Sequence, residues 1–190
     1  MTIPETGSIA YNLEQEIFRV TKISFNAPVP RHKHSCYELF FILDGEGTFH
    51  MDCQHYDIKS KSLFLVAPGQ LHGWEYSNHL SAYLLKFDLS IFTDQSFIEH
   101  LSVFNFDTVT VSDDEYKQIE SVFSSLNEEY LSSKSFKECS INNLLNILLI
   151  NVQRTLSSTN VSYTSHALFA KFNDLMLNNH YKIAHPSCYA

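Results

Sequence analysis

Apolar and polar residues alternate in short runs over residues 8–90 and then settle into a helical rhythm. The runs Ile17–Ser24, Leu39–Leu43, Thr48–Met51, His55–Ile58, Leu63–Val66 and Ala82–Phe87 are rich in Phe, Tyr, Ile, Leu and Val. This reads as a series of strands. Asp44-Gly45-Glu46-Gly47 predicts a hairpin turn, and Pro28-Val29-Pro30 and Ala67-Pro68-Gly69 predict two more turns. Many short strands without a helical period point to a sandwich or barrel. Strand side chains alternate faces, so Phe40 and Ile42 continue the face of Glu38. Leu39, Phe41 and Leu43 take the other face and are apolar too, so this strand needs a cover outside as well as inside.

The period changes after residue 95. Phe97, Ile98 and Leu101 suggest a short helix, and Thr108–Val111 a last strand. Ser112-Asp113-Asp114-Glu115 is a capping box, in which the hydroxyl and the carboxylate each satisfy a backbone N–H left open at the helix start. The helix that follows carries Ile119, Val122, Phe123, Leu126 and Tyr130 as one apolar stripe. A second helix over about 136–156 carries Ile141, Leu144, Leu145, Leu148, Leu149 and Val152, with Ile147 and Ile150 off the stripe. That surface fits either packing on the chain's own sheet or a partner helix from a second subunit, and periodicity does not separate the two. The run 157–165 is polar and reads as a linker, and Ala167–Asn179 reads as a short amphipathic helix.

Composition narrows the function classes. The formal net charge of -8 argues against this chain holding a nucleic-acid duplex by itself, because phosphate binding draws on Lys and Arg. With 15 Phe and 10 Tyr the chain has ample material for a core, so disorder is excluded. No apolar run approaches the ~20 residues of a membrane-spanning helix. Residues 1–9 hold Glu5 and no apolar core, which is not the pattern of a signal peptide. Cys36, Cys53, Cys139 and Cys188 form no CxxC pair and read as reduced thiols of a cytoplasmic protein.

The candidate chemistry lies in two motifs. His32-Lys33-His34-Ser35-Cys36-Tyr37-Glu38 places two imidazoles and a carboxylate at even spacing, on one face if the strand is unbroken. Pro68-Gly69-Gln70-Leu71-His72 offers a third imidazole. Three neutral imidazoles and one carboxylate suit Fe(II), Mn(II), Ni(II) or Zn(II), or simply line a polar pocket without metal. Trp74 and Tyr76 follow His72 at the same parity and join Phe40 as candidate walls of an apolar pocket. No second carboxylate, Ser or Lys stands out as an acid/base partner beside them. Glu38 has Arg31 as a possible charge partner.

The pattern HxHxxxE followed by PGxxH resembles the two motifs of the cupin superfamily, small jelly-roll barrels whose three His and one Glu can hold a divalent metal. Lys61-Ser62 stands where that family often has Gly-Asp. The order of parts also resembles AraC/XylS-type bacterial transcriptional regulators. The likeness rests on HxHxxxELFFILDGEGTF, then LFLVAPGQLHGW and AYLLKFDLSIF, then two helices and a polar linker. It ends in Phe172-Asn173-Asp174-Leu175-Met176 and Cys188-Tyr189-Ala190, which look like the entry to that family's DNA-binding domain.

The resemblance implies a mainly β fold with C-terminal α-helices, a cupin-like double-stranded β-helix plus a helical dimerisation region. It implies an effector-binding barrel over 8–92, dimerising helices over 93–156, a linker over 157–165 and the start of a helix-turn-helix domain over 166–190, broken off at Ala190. The implied partners are a small effector (a sugar or small organic compound) and a second copy of the chain. DNA would be bound only through the part that follows. On this reading His32, His34, Glu38, Phe40, His72, Trp74 and Tyr76 contact the effector, with no cofactor or with one divalent transition metal on His32, His34, Glu38 and His72. Ile141, Leu144, Leu145, Leu148, Leu149 and Val152 would dimerise, and no residue is catalytic. The alternative is a metal-dependent cupin enzyme, a dioxygenase or isomerase.

Overall fold

The computed structural model describes residues 18–25, 27–92, 94, 98 and 101–159. Seven strands come first: β1 (Phe18–Phe25), β2 (Val29–His32), β3 (Tyr37–Met51), β4 (Gln54–Ile58), β5 (Ser62–Val66), β6 (His72–Phe87) and β7 (Thr108–Thr110). Two short 3-10 turns, Leu89–Ile91 and Ser102–Asn105, lie between β6 and β7. Two helices close the described part, α1 (Asp113–Leu131) and α2 (Lys137–Ser158). The mainly β class with C-terminal helices is thus as expected. The first ten residues of the expected barrel, most of the short helix near Phe97 and everything from Asn160 onward, including the expected linker and helix-turn-helix entry, lie outside the described residues.

The long strands β3 and β6 organise the sheet. They pair antiparallel along almost their whole length, from Tyr37↔Phe87 to Met51↔His72. Each takes a different outer neighbour on its two halves. One half-sheet runs β1-β6-β3-β5-β7, and the other adds β2 to β6 and β4 to β3. Register shifts lie between Ile42 and Asp44 and between Gly45 and Gly47, where the two halves meet. The expected hairpin at Asp44–Gly47 is therefore a bulged stretch inside one strand. Gly45 sits at φ 118° with its Cα so close to the opposite backbone that a Cβ would stand 2.4 Å from the His79 carbonyl. Gly-rich sequence marks a bulge here as readily as a turn. The real reversal is Asp52-Cys53, with Met51↔Gln54 as the closing pair. Likewise Pro28-Val29-Pro30 leads into a strand rather than forming a turn, with Val29 paired to Trp74.

Two apolar clusters lie on the two faces. Between the half-sheets, Phe40, Ile42, Phe64, Val66 and Ala82 meet Phe49, Met51, Ile58 and Trp74. Outside, Leu39, Phe41, Leu63, Leu65, Leu85 and Phe87 are covered by the helices through Ile119, Phe123, Leu126, Leu145, Leu148 and Leu149. Phe123 stacks on both Phe41 and Tyr83, at 5.6 and 5.3 Å between ring centres. The double-sided apolar strand has the outer cover it required. α1 begins with the expected box: Ser112 Oγ accepts from Glu115 N, and Ser112 N donates to Glu115 Oε2 at 2.9 Å. Such a cap contributes about 1 kcal/mol.

α2 departs from the expectation for its stripe. Ile141, Leu145, Leu148, Leu149 and Val152 are buried in this chain's own core, and Leu144 is half-buried against it. They are no free dimerisation surface, because the outer sheet face and α1 have already taken them. Ile147 remains outside, 47% exposed.

Candidate functional site

The two motifs meet at one end of the inner cluster. The parity argument that grouped His32, His34 and Glu38 holds in outcome but not in cause. β2 ends at His32, β3 begins at Tyr37, and residues 33–36 are irregular. His32 is placed by its register opposite His72. That close approach depends on Gly73, where a Cβ would stand 2.7 Å from the Val29 carbonyl oxygen. The His34 carbonyl accepts from Gly69 N at 2.7 Å, which ties the loop to the Ala67–Gln70 turn. Gly69 takes φ 80° there, and Gln70 Oε1 accepts from Ala67 N at 3.0 Å. The second motif thus acts as a brace for the first.

The ring centres of His32 and His34 lie 4.8 Å apart, those of His32 and His72 4.4 Å, and those of His34 and His72 5.6 Å. One nitrogen from each ring lies within 4.8 Å of the others. His32 Nδ1 donates to the Pro30 carbonyl at 2.8 Å and His72 Nδ1 to that of Gln70 at 3.0 Å. Anchoring Nδ1 to a carbonyl fixes the tautomer and turns Nε2 into the site. Glu38, 1% exposed, sits at the centre, with Oε2 2.8 Å from His72 Nε2 and Oε1 3.2 Å from His34 Nε2. Phe40 and Phe49 border the cluster, their ring centres 6.4 and 6.3 Å from that of His72. Trp74 packs beyond them, edge-on to Phe40 at 4.9 Å. The side chain of Tyr76 lies outside the described residues.

One member was not foreseen. Lys86 Nζ forms an ion pair with Glu38 Oε1 and lies 3.2 Å from His34 Nε2. The signal was present: Lys86 has the inward parity of Ala82 and stands opposite Glu38 in register. Arg31, the charge partner weighed for Glu38, instead reaches His50 and the Asp52 carbonyl.

The electrostatics follow from this packing. Burial pushes the Glu38 carboxyl upward, but the hydrogen bond and charge of His72 and the Lys86 ammonium outweigh it and hold it at about 2. Burial takes His34 down to about 4, against the pull of Glu38, and also lowers His32. Glu38 is therefore ionised at neutral pH, and His32 and His34 are neutral.

The three imidazoles, by chemistry and convergence, are a donor set a divalent metal accepts. The full set with Glu38 does not fit one, because Lys86 already stands on that carboxylate and beside His34. Two like unit charges 4 Å apart repel by about 4 kcal/mol at an effective dielectric of 20, and a dication doubles that. The partial exposure of Lys86, 23%, weakens the repulsion without removing it.

Aromatic rings pack in the inner cluster beneath the site. Phe40, Phe49, Phe64 and Trp74 touch at 4.8–5.6 Å between ring centres. Two open surface grooves, of about 440 and 500 Å³, lie elsewhere, one between Tyr83 and α1 and the other at Gly45–Thr48 and Asp57–Ser60. These packed rings lie against the polar cluster, with Phe40 and Phe49 next to His72. Cys36 is half-buried, and Cys53 and Cys139 are exposed; all three are free thiols. No helix among the described residues is long and apolar enough to cross a membrane.

The chain is 33% identical over 72 residues to the HTH-type transcriptional regulator YfiF of Bacillus subtilis (strain 168). The match covers 38% of this chain and 22% of that protein, so the chain spans only about a fifth of the relative's length. A cupin protein from Bacteroides fragilis is similar at a TM-score of 0.36 and 18% identity, over 38% of this chain and 66% of that one. An RmlC-like cupin with a double-stranded β-helix fold, from Methanocaldococcus jannaschii, gives 0.35 and 19%, over 38% and 72%. The DMSP lyase DddQ from Ruegeria pomeroyi gives 0.36 and 22%, over 40% of each chain. The family model of the AraC-like ligand binding domain matches residues 20–144. That span takes in both motifs, most of the strands, α1 and the start of α2, and the chain belongs to the family of AraC-like ligand binding domains.

Proposed function

We propose that this chain is the effector-sensing part of a cytoplasmic bacterial AraC-type transcriptional regulator. It binds a small molecule at the His32–His34–Glu38–His72–Lys86 cluster and transmits occupancy through the helices to a DNA-binding domain. The observation that carries the reading is a buried carboxylate in contact with two imidazoles and an ammonium, with the His32 ring against both imidazoles and aromatic side chains alongside. A few polar groups concentrated beside apolar walls are the arrangement that fixes the orientation of a small ligand. The -8 charge supports assigning DNA contact to another segment. We further propose that the chain pairs with a second copy through the exposed side of α2.

Binding of oxygen-rich ligands suits the site best. The Lys86 ammonium has three N–H donors, and Glu38 and His34 engage two of them. The third is available for a hydroxyl or carboxylate oxygen of the effector. The test is a thermal-shift screen of sugars, small carboxylates and aromatic acids on the native chain and on His72→Ala. A ligand at 100 times its Kd stabilises by about 2.7 kcal/mol. The expected result is one chemical class that raises the Tm of the native chain and not that of His72→Ala. An equal shift in both proteins would place binding elsewhere. Turnover of the bound compound would favour the enzymatic alternative.

A further inference from the structure

We propose that Lys86 takes the place of a metal ion in this barrel, serving as the cation that Glu38 faces, and that a single substitution there turns the cluster into a metal site. The inference concerns the site discussed above but does not rest on the effector reading, since it asks only what neutralises Glu38.

Three observations support it. First, Lys86 interrupts an inward row that is otherwise apolar: Ala82 and Leu84 precede it at the same parity, and both belong to the inner cluster. A lysine in such a row needs a partner inside, and the register supplies Glu38 directly opposite. Second, its ammonium contacts the same two groups that a metal would draw on, Glu38 Oε1 and His34 Nε2. Third, Glu38 is already matched where it stands, by the Lys86 ammonium at Oε1 and the His72 ring at Oε2. A dication added there would bring surplus positive charge to a carboxylate only 1% exposed.

Removing Lys86 reverses the balance. Glu38 would then keep its contacts with His72 and His34 but lose its ammonium, beside three imidazoles, two of them held with Nδ1 on backbone carbonyls. Three nitrogens and one oxygen with outward positions open are a set that Co(II) or Zn(II) accepts.

The experiment is a cobalt(II) titration of the purified chain, followed by visible absorption and by equilibrium dialysis. The native chain and Lys86→Arg are expected to take up no stoichiometric cobalt at tens of micromolar metal. Lys86→Met is expected to bind one ion per chain, at least about 100-fold more tightly than the native chain. Adding His72→Ala to that variant is expected to abolish the binding. Circular dichroism checks the fold, and Lys86→Gln replaces Lys86→Met in the comparison if the latter does not fold. One tightly bound cobalt per native chain would overturn the proposal outright. So would neutral variants that fold and still bind none. Neither result bears on whether a sugar or carboxylate shifts the Tm, so the two proposals fail separately.

Discussion

The outer and inner faces of β3 and β6 begin alike and end differently. Outward, Leu39, Phe41, Tyr83, Leu85 and Phe87 meet α1 and α2 in a continuous apolar contact. Inward, Phe40, Ile42, Ala82 and Leu84 run equally apolar for several residues and then give way to Glu38 and Lys86. The same two strands thus carry a contact that only holds the molecule together and a contact that costs desolvation energy. If the proposed function holds, that cost is offset by ligand binding, and recognition sits within a few ångströms of the contact that stabilises the sheet.

The largest expected effect falls on the outer face. Phe123 is fully buried and stacked between Phe41 and Tyr83. Phe123→Ala should cost about 3–5 kcal/mol, since the surrounding sheet and helices collapse only partly into the space. Urea unfolding at neutral pH measures it. A loss below about 1 kcal/mol would mean that the helices are loosely held, and the comparison would fail on its stable side.

The inner face should reveal itself by pH instead. Glu38 is held at about 2 against an ordinary value of 4.5. The unfolded chain therefore binds more protons than the folded one between those values, so stability rises with pH across that window. The Glu38 contribution is complete above about pH 4.5 and is lost as pH falls towards 2. His34, held at about 4 against 6.5, acts in the same direction one window higher: the unfolded chain takes its proton first as pH falls through 6.5. Unfolding curves from pH 7 to 2 should show a loss in two stages, the upper flattened by His34→Gln and the lower by Glu38→Gln. Unchanged curves in both variants would show that the cluster is not coupled to folding.

How much of this was legible in the sequence depends on how local the cause was. The capping box, the stripe of α1 and the apolar double face of β3 were readable because each is set by residues a few positions apart. The turn at Asp44–Gly47 was misread because glycines serve a bulge as well as a hairpin, and only the far strand, His79–Ser81, decides between them. The His/Glu grouping came out of a parity rule that the break at residues 33–36 does not obey. What brings these side chains together is long-range: Gly73 lets β2 close on β6, and Gly69 binds the His34 loop. Lys86 was missed for the same reason, since its partner is 48 residues away in the register Glu38↔Lys86.

The smallest effect on stability is expected where the dimer proposal stands or falls. Most of the α2 stripe is committed to the chain's own core, so Leu148→Asp would unfold the molecule and say nothing about pairing. Ile147 is different: it is 47% exposed, on a face shared with Asn143, which is also exposed, and half-buried Ile150. A charge at an exposed helix position changes stability by no more than about 0.5 kcal/mol. In a two-fold contact the same charge meets its own copy or an apolar partner, and both arrangements are unfavourable. Ile147→Asp should therefore leave the urea midpoint nearly unchanged while shifting the sedimentation coefficient of the native chain from dimer to monomer. A native chain that sediments as a monomer at tens of micromolar, or an Ile147→Asp dimer of unchanged strength, would place the self-association surface elsewhere and leave α2 as an outer wall of the barrel.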